Sequence, residues 1–291
     1  MMKKRKLHYL SPRDRAWSSF RGILLYIICI FWAGTAIIPM VWVFINSFKD
    51  SNEILMNSIA LPREWTLKNY VTMANYPGTN LVRSFFNSIV ISIGTVVGVV
   101  FCAGLAAYAI SRFSNRFTKL IAVVLNAVLL IPSFSTLIPN FVTISASPFR
   151  GTYLAVILPL IASNMSFSTL FLTGQINSLP MELDEAAMIE GAGTMQIYWR
   201  IIFPLSKPMF STIATMVFIW AYNDLLTSMT YLSDRKMQPV SVILSNVSNM
   251  FGTDYGAMMA AIFFTILPLL LLYVCMQEQV VKGLTAGSVK G

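Results

Sequence analysis

LPMELDEAAMIEGAGTMQIYWRIIFPLSKP, residues 179–208, is a polar stretch set between long apolar runs, and its residue order specifies two short helices joined by a sharp turn. Ser178 and Pro180 are helix-start signals, and Glu182, Asp184 and Glu185 fall in the first turn, where the helix dipole favours negative charge. Gly191 stands where that helix must stop, because glycine enters the left-handed conformation without a side-chain clash; Thr194 is placed to cap the second helix. An amphipathic run at 197–203 follows, closed by Pro204 and Pro208. Nothing in the stretch assembles an acid–base, nucleophilic or metal-binding cluster. Small Ala186 and Ala187 leave a face that a groove on another protein can approach closely, so the hairpin reads as a docking surface. The bland alternative is a solvated connection between spans.

The surroundings of this hairpin are those of a membrane protein. Of 291 residues, 56% are hydrophobic and only 11% charged, whereas a soluble domain carries about a quarter charged residues. Six stretches are long and apolar enough for helices that cross a hydrocarbon core of roughly 30 Å: 22–48, 84–111, 120–146, 152–175, 209–231 and 255–277. No barrel-type alternation is present, so the expected class is an all-α membrane protein with six transmembrane helices. Pro132 and Pro139 imply a kink or an early end in the third stretch, and Asp224 interrupts the fifth.

An even number of spans puts both termini on one side. That side holds 14 of the 21 Lys and Arg, seven of them at or before Arg21, together with Arg112, Arg116, Lys119, Arg200, Lys207, Lys282 and Lys290. The excess places the termini and the hairpin in the cytoplasm of a multi-pass cell-membrane protein. The expected layout is a basic cytoplasmic segment at 1–21, a six-span domain at 22–282 with the hairpin at 178–208, and a cytoplasmic tail at 283–291. The net charge of +9 is spread over the flanks of the spans and forms no stripe, which argues against nucleic acid as a partner. Cys29, Cys102 and Cys275 lie in apolar stretches without paired spacing and read as packing residues, not disulfides or metal ligands. The first apolar stretch is too long, and lacks the cleavage site, for a removed signal peptide.

Several spans carry more than bulk apolarity. In the second, Gly94, Gly98, Cys102 and Ala106 recur every four residues and give one smooth face for a neighbouring helix. The third and fourth combine Pro132, Pro139 and Pro159 with hydroxyls and amides such as Ser133, Thr136, Asn140, Ser163 and Asn164. That composition suits either a polar translocation path or interhelical hydrogen bonding. In the fifth, Trp220, Tyr222, Asn223 and Asp224 stand together, and an ionisable group at that depth is a candidate gate or cavity residue. Aromatic residues at Trp65, Tyr70 and Tyr76 make the first loop either an interfacial lid or a contact for a soluble partner. No phosphate-binding loop is present, and His8 is the only histidine, which removes histidine-based acid–base and metal chemistry at membrane depth; if transport is uphill, its energy must arrive from elsewhere.

EAAMIEG at 185–191 followed by IIFPLSKP at 201–208 resembles the EAA loop of permease subunits in binding-protein-dependent ABC importers. LPREWTLKNY at 61–70, WAYNDLL at 220–226 and GLTAGSVKG at 283–291 are similar to segments of the second permease of carbohydrate importers, the maltose and multiple-sugar type. The resemblance implies a type I ABC-importer permease fold and half of a heterodimeric pore completed by a homologous first permease. It implies two cytoplasmic ATPases that hold ATP and Mg while this chain binds no cofactor, and an extracytoplasmic binding protein that delivers a sugar or oligosaccharide. Glu182, Asp184, Glu185, Ala186, Ala187, Glu190 and Gly191 would then form the ATPase-docking hairpin. Gly283, Leu284, Thr285, Ala286, Gly287 and Lys290 would form a tail that contacts the ATPases. Direct sugar contact would fall mainly to the first permease, with this chain completing the cavity wall. Tyr222 stands where the family often has tryptophan. The chain is thus expected to be a transporter subunit and not an enzyme; an ion-gradient-driven secondary transporter is the rival reading, and it requires more intramembrane carboxylates than Asp224.

Overall fold

The structure, a computed structural model, describes residues 12–75 and 80–288, with the side chains of 12–20, 248–249, 272, 276 and 278–288 outside that description. Among the described residues all regular structure is helical, as lipid demands of a backbone that must satisfy its own hydrogen bonds. Helix α1 (Pro12–Asn46) leads into a loop carrying α2 (Ser51–Met56) and α3 (Lys68–Ala74), then α4 (Leu81–Arg112). Next come α5 (Arg116–Val128), a 3-10 turn (Ser133–Thr136), α6 (Leu137–Ser145) and α7 (Leu154–Asn177). The hairpin is α8 (Glu182–Ile189) and α9 (Thr194–Ile197), the latter running through a π turn (Tyr198–Ile202) into α10 (Phe203–Leu205). Helices α11 (Lys207–Tyr222), α12 (Leu226–Tyr231), α13 (Val240–Ser245), α14 (Val247–Phe251) and α15 (Tyr255–Ser288) complete the chain, with a 3-10 turn (Arg235–Met237) between α12 and α13.

Helix α4 is the centre of the bundle, packed against α7 and α11, and α11 in turn lies on α15. The small-residue face of α4 works as its spacing implies at the two glycines. A β-carbon on Gly94 would come within 2.8 Å of Ile157 on α7, and one on Gly98 would overlap Ile161. Close approach of α4 and α7 therefore depends on the missing side chain most at Gly98, where Cγ1 as well as Cδ1 of Ile161 would be met, whereas at Gly94 only the far end of Ile157 would have to move. Cys102 departs from the expected packing role: it is exposed on this subunit, as are Cys29 and Cys275.

Four single helices are long and apolar enough to cross a membrane, and six spans are reached only if two bent pairs each count as one. The expected third span breaks after α5, and 133–145 leaves at 103°; Pro132 sits at the break in an extended conformation, which forbids continuation of the helix. The fifth ends at Tyr222 and resumes at Leu226, with Asp224 in the gap. Its start is also bent, since 194–205 meets α11 at 78° around buried Ser206. The basic segment at 1–11, with His8, and Lys290 of the tail lie outside the described residues; Tyr76 does too. The tail backbone through Gly283, Leu284, Thr285, Ala286 and Gly287 continues as the last turns of α15.

At the end of the bundle opposite the hairpin, the first loop is tied to α15 by a buried polar layer. Asn69 donates to the carbonyls of Ser47 and Lys49, both at 2.8 Å, and the Lys49 ammonium, fully buried, donates to the Asn57 carbonyl at 3.1 Å. Ser51 Oγ donates to Asp254 Oδ1 just ahead of α15. Trp65 packs on Phe48 with ring centroids 5.2 Å apart, and Tyr70 hydrogen-bonds Ser47. Burial raises the Tyr70 hydroxyl above its ordinary pKa, an effect its hydrogen bond to Ser47 partly offsets. Gly256 is the closest point of approach: a β-carbon there would lie 2.6 Å from both Asn69 Nδ2 and the Lys49 carbonyl.

Because one of those atoms is backbone, the clash at Gly256 has no cheap relief. Gly256→Ala is expected to destabilise the chain by about 1–3 kcal/mol, read as a lowered unfolding temperature in detergent. Gly174→Ala, where an added β-carbon meets nothing within 4 Å, should hold stability or gain up to about 1 kcal/mol.

Candidate functional site

The hairpin turn forms as its sequence specifies at Gly191, whose φ of +84° is the left-handed value that ends α8. Its other signals are reassigned. Ser178 closes α7, donating its hydroxyl to the Gln175 carbonyl, and α8 begins only at Glu182. Gly193, not Thr194, precedes α9, and Gln196 Oε1 accepts from the Gly193 N–H at 3.0 Å. Ile197, Tyr198 and Ile202 turn into the core while Trp199 and Arg200 stay exposed, so the run at 197–203 is amphipathic.

Asp184 and Ala187 do not belong to the outward face. Three positions apart on α8, they share the side that packs on α4, and they are 1% and 8% exposed. Asp184 Oδ2 lies 3.1 Å from Arg112 Nε, both side chains nearly sealed from solvent, and Tyr108 donates to Asp184 Oδ1 at 3.4 Å. Arg112 Nη2 also donates to the Leu179 carbonyl at 3.3 Å. A carboxylate at such depth needs a cation beside it; Arg112 in the last turn of α4 supplies the charge and Tyr108, one turn earlier, a hydrogen bond to Oδ1, while Oδ2 and Nε meet as an ion pair without hydrogen-bond geometry. What α8 offers outward is Glu182, Glu185, Ala186, Glu190 and Gly191, with Met188 and Ile189 beside them; Ile189 is 89% exposed at the tip. The acidic and apolar tip suits a groove on another chain. The sequence reading gave Arg112, Tyr108, Met188 and Ile189 no individual part in this site. The i, i+3 placement of Asp184 and Ala187 was the available signal, since an inward alanine implies an inward aspartate and hence a buried cation nearby.

The opposite end of α4 holds the segment after α12. Asn87 donates to the carbonyls of Lys236 and Gln238 at 2.9 and 3.0 Å and accepts from Tyr153 at 2.7 Å. Ser88 Oγ accepts from the Val240 N–H. Helix α4, 32 residues and so about 48 Å long, therefore joins the hairpin to this segment in one rigid piece.

Between the two broken helices lies a cavity of about 320 Å³. Asn140, Asn164, Trp220 and Asp224 line it, together with Ser133 and Thr136; Thr227 and Tyr231, absent from the sequence reading, complete the wall. Tyr222 and Asn223 do not join it. Tyr222 is buried, stacked on Phe218 and donating to the Thr265 carbonyl, because it continues the core face of α11. Asn223 is exposed and bonds back to the Ile219 carbonyl. Asp224 Oδ2 accepts from the N–H and hydroxyl of Ser228 at 2.8 and 2.9 Å, and its carbonyl accepts from Ser241. Helix breaks at membrane depth persist where the freed backbone lines a cavity or is covered by protein.

A bundle of apolar helices long enough to cross a membrane, two of them broken around a polar hollow, with an exposed knob at one end, has the architecture of a membrane permease. The chain belongs to the family described as the inner membrane component of binding-protein-dependent transport systems, whose model matches residues 98–286. It is 32% identical to the trehalose/maltose transport system permease protein of Thermococcus litoralis, over 93% of this chain and 95% of that one. It is 29% identical to the diacetylchitobiose uptake system permease protein of Streptomyces coelicolor, covering 94% and 90%. In fold it matches a chain of a bacterial ABC transporter involved in import of the acidic polysaccharide alginate, with a TM-score of 0.78 at 20% identity over 93% and 98% of the two chains.

Removing one partner of the Arg112–Asp184 pair strands a buried charge, and Arg112→Ala is expected to cost about 3–5 kcal/mol. The matched replacement Arg112→Met with Asp184→Leu should recover most of that loss. Thermal unfolding in detergent and trypsin cleavage at the hairpin measure both. Equal losses in the single and paired variants would show that the pair's charge is irrelevant.

Proposed function

We propose that this chain is the second permease of an ATP-driven importer of sugars or oligosaccharides, one half of a pore completed by a homologous permease. The observation that carries the reading is the exposed tip of α8, anchored through Asp184 and Arg112 to the bundle's central helix. Two cytoplasmic ATPases, which hold the ATP and Mg, receive Glu182, Glu185, Ala186, Glu190 and Gly191 in a groove, with Met188 and Ile189 filling its apolar floor. Asp184 and Ala187 act from behind, fixing the knob to α4. The tail, Gly283, Leu284, Thr285, Ala286, Gly287 and Lys290, contacts the same ATPases. Both termini are then cytoplasmic, in keeping with the excess of Lys and Arg on that side.

The opposite face receives the extracytoplasmic binding protein. Its support is an open hollow of about 870 Å³ rimmed by charges of both signs, among them Asp50, Glu53, Arg63, Glu64 and Lys68. Sugar as the cargo is supported by the names of the relatives, which concern trehalose, maltose and diacetylchitobiose. Closure of the ATPases on ATP pulls α8, α8 carries α4, and α4 shifts the segment at 236–240 that its far end holds. This is alternating access driven from the hairpin, and the chain itself does no chemistry.

Ala186→Arg and Ile189→Asp alter the exposed tip without touching the buried pair. Each is expected to lower co-purification of the ATPase at least tenfold while the permease stays monodisperse. Full retention of both ATPase binding and transport would overturn the docking assignment. Uptake by the complete transporter in liposomes should need ATP and survive collapse of proton and sodium gradients; the reverse dependence would establish the secondary-transporter rival.

A further inference from the structure

We infer that the cavity at the two helix breaks is a sugar subsite on this chain itself, selective for uncharged sugar rings over anionic ones, with Asp224 the residue that sets the selection. The inference rests on the sugar-import reading above and goes further, giving this chain a direct substrate contact and a charge preference.

The lining carries the chemistry of a carbohydrate site. A sugar ring presents hydroxyls at its edge and an apolar C–H face, so its binding site needs fixed polar partners and an aromatic plane. Trp220 supplies the plane: it is 43% exposed and is held edge-on by Phe167 at 5.1 Å, a T-shaped contact that occupies only part of the indole. The polar partners have capacity to spare. The Asn140 side chain faces the hollow from α6 and makes no hydrogen bond to another described residue. Asn164, 8% exposed, commits its amide N–H to the Leu160 carbonyl and Ser163, which leaves its Oδ1 without a donor. Asp224 Oδ2 is saturated by Ser228, so the carboxylate is fixed in orientation while Oδ1 takes no hydrogen bond. These acceptors have no donor among the described residues and are open to the hollow, so they are free to accept from a ligand, and sugar hydroxyls are donors.

Selection follows from charge. Asp224 is the only ionisable acid or base among the residues that form the cavity apart from the Tyr231 phenol, and that phenol is engaged with the Leu137 carbonyl. No Lys, Arg or His balances Asp224 there, in contrast to Asp184. A uronate carboxylate brought to about 6 Å would meet an uncompensated like charge, enough to weaken binding about 10–100-fold at the effective dielectric of a partly buried site. A neutral ring meets only an acceptor. At about 320 Å³ the hollow sits at the lower end of the range of about 300–1,000 Å³ for small-molecule sites, which suits one ring of a longer chain.

The test uses the purified permease–ATPase complex in detergent, without binding protein, so that selection by the latter cannot mask that of the cavity. Maltotriose, galactotriose and triacetylchitotriose serve as neutral probes and trigalacturonate as the anionic one. Quenching of indole fluorescence that disappears in Trp220→Phe reports binding at this site. At least one neutral probe should bind at least tenfold more tightly than trigalacturonate, and Asp224→Asn, which keeps an oxygen for Ser228, should bring that ratio within about threefold. Asn140→Leu, remote from the Ser228 hydrogen bonds, should weaken the neutral probe at least fivefold, with monodispersity on size exclusion reporting the fold of each variant. Absence of Trp220-dependent quenching by every neutral probe, equal binding of the uronate, or an unchanged ratio in Asp224→Asn would overturn the subsite. ATP-dependent sugar uptake by the complete transporter separates the two readings: if uptake persists while any of those results is found, the subsite fails and the import function stands.

Discussion

The contact between Arg112 and Asp184 fixes how the two halves of the molecule relate. A carboxylate sealed from water at 1% exposure is tolerable only beside a cation. The chain meets that demand by placing an arginine in the final turn of its central helix, a tyrosine one turn earlier, and the loop carbonyl of Leu179 within reach of the guanidinium. Helix α8 is therefore more than a polar excursion between spans. Its eight residues are far too few to be stable alone, and they hold their place because one face is pinned by charge and by the core contacts of Ala187 and Tyr198.

Once the hairpin is pinned, the geometry of α4 governs what moves with it. Gly94 and Gly98 let the helix lie directly on α7, and Asn87 and Ser88 bind the backbone beyond α12. That backbone bears Ser241, whose hydroxyl donates to the Asp224 carbonyl in the break of the fifth span. A continuous series of packed and hydrogen-bonded contacts thus runs from the exposed tip of α8 to the wall of the cavity. A rigid helix crossing the whole bundle transmits displacement with little loss, whereas the breaks at 129–132 and 223–225 are where the backbone can rotate.

Most of this architecture was legible in the sequence because lipid leaves so few choices. Apolar runs of sufficient length become helices, Pro132 and Asp224 mark the interruptions, and Gly191 marks the turn. The size of the bends was not legible: a proline announces a break but not a 103° departure, which depends on how the following helix packs. The inward turn of Asp184 escaped for a related reason. First-turn acids look alike under the dipole argument, and only the tertiary contact with Arg112 tells the buried one from Glu182 and Glu185. Tyr222 was misread by adjacency, since residues next to Asp224 in sequence lie on different faces of a helix that ends there, and core packing claimed the tyrosine. Thr227 and Tyr231 escaped because they reach the cavity only after the chain has turned the corner.

Two inward aspartates show how one side chain takes opposite parts according to its neighbours. At 184 the charge is answered by a guanidinium at 3.1 Å, its field is cancelled locally, and the result is a joint with no attraction left for a solute. At 224 the answer is a serine N–H and hydroxyl on a single oxygen, which orient the group without neutralising it. The field of that carboxylate extends into a hollow with no cation on its wall, so it acts on whatever enters. Neutralised charge builds the moving part, and uncompensated charge filters what that part moves. Exchanging the two environments would leave a hairpin repelled from its own helix and a cavity indifferent to the charge of its contents, which is why the cation belongs at the end of α4 and nowhere near the break in the fifth span.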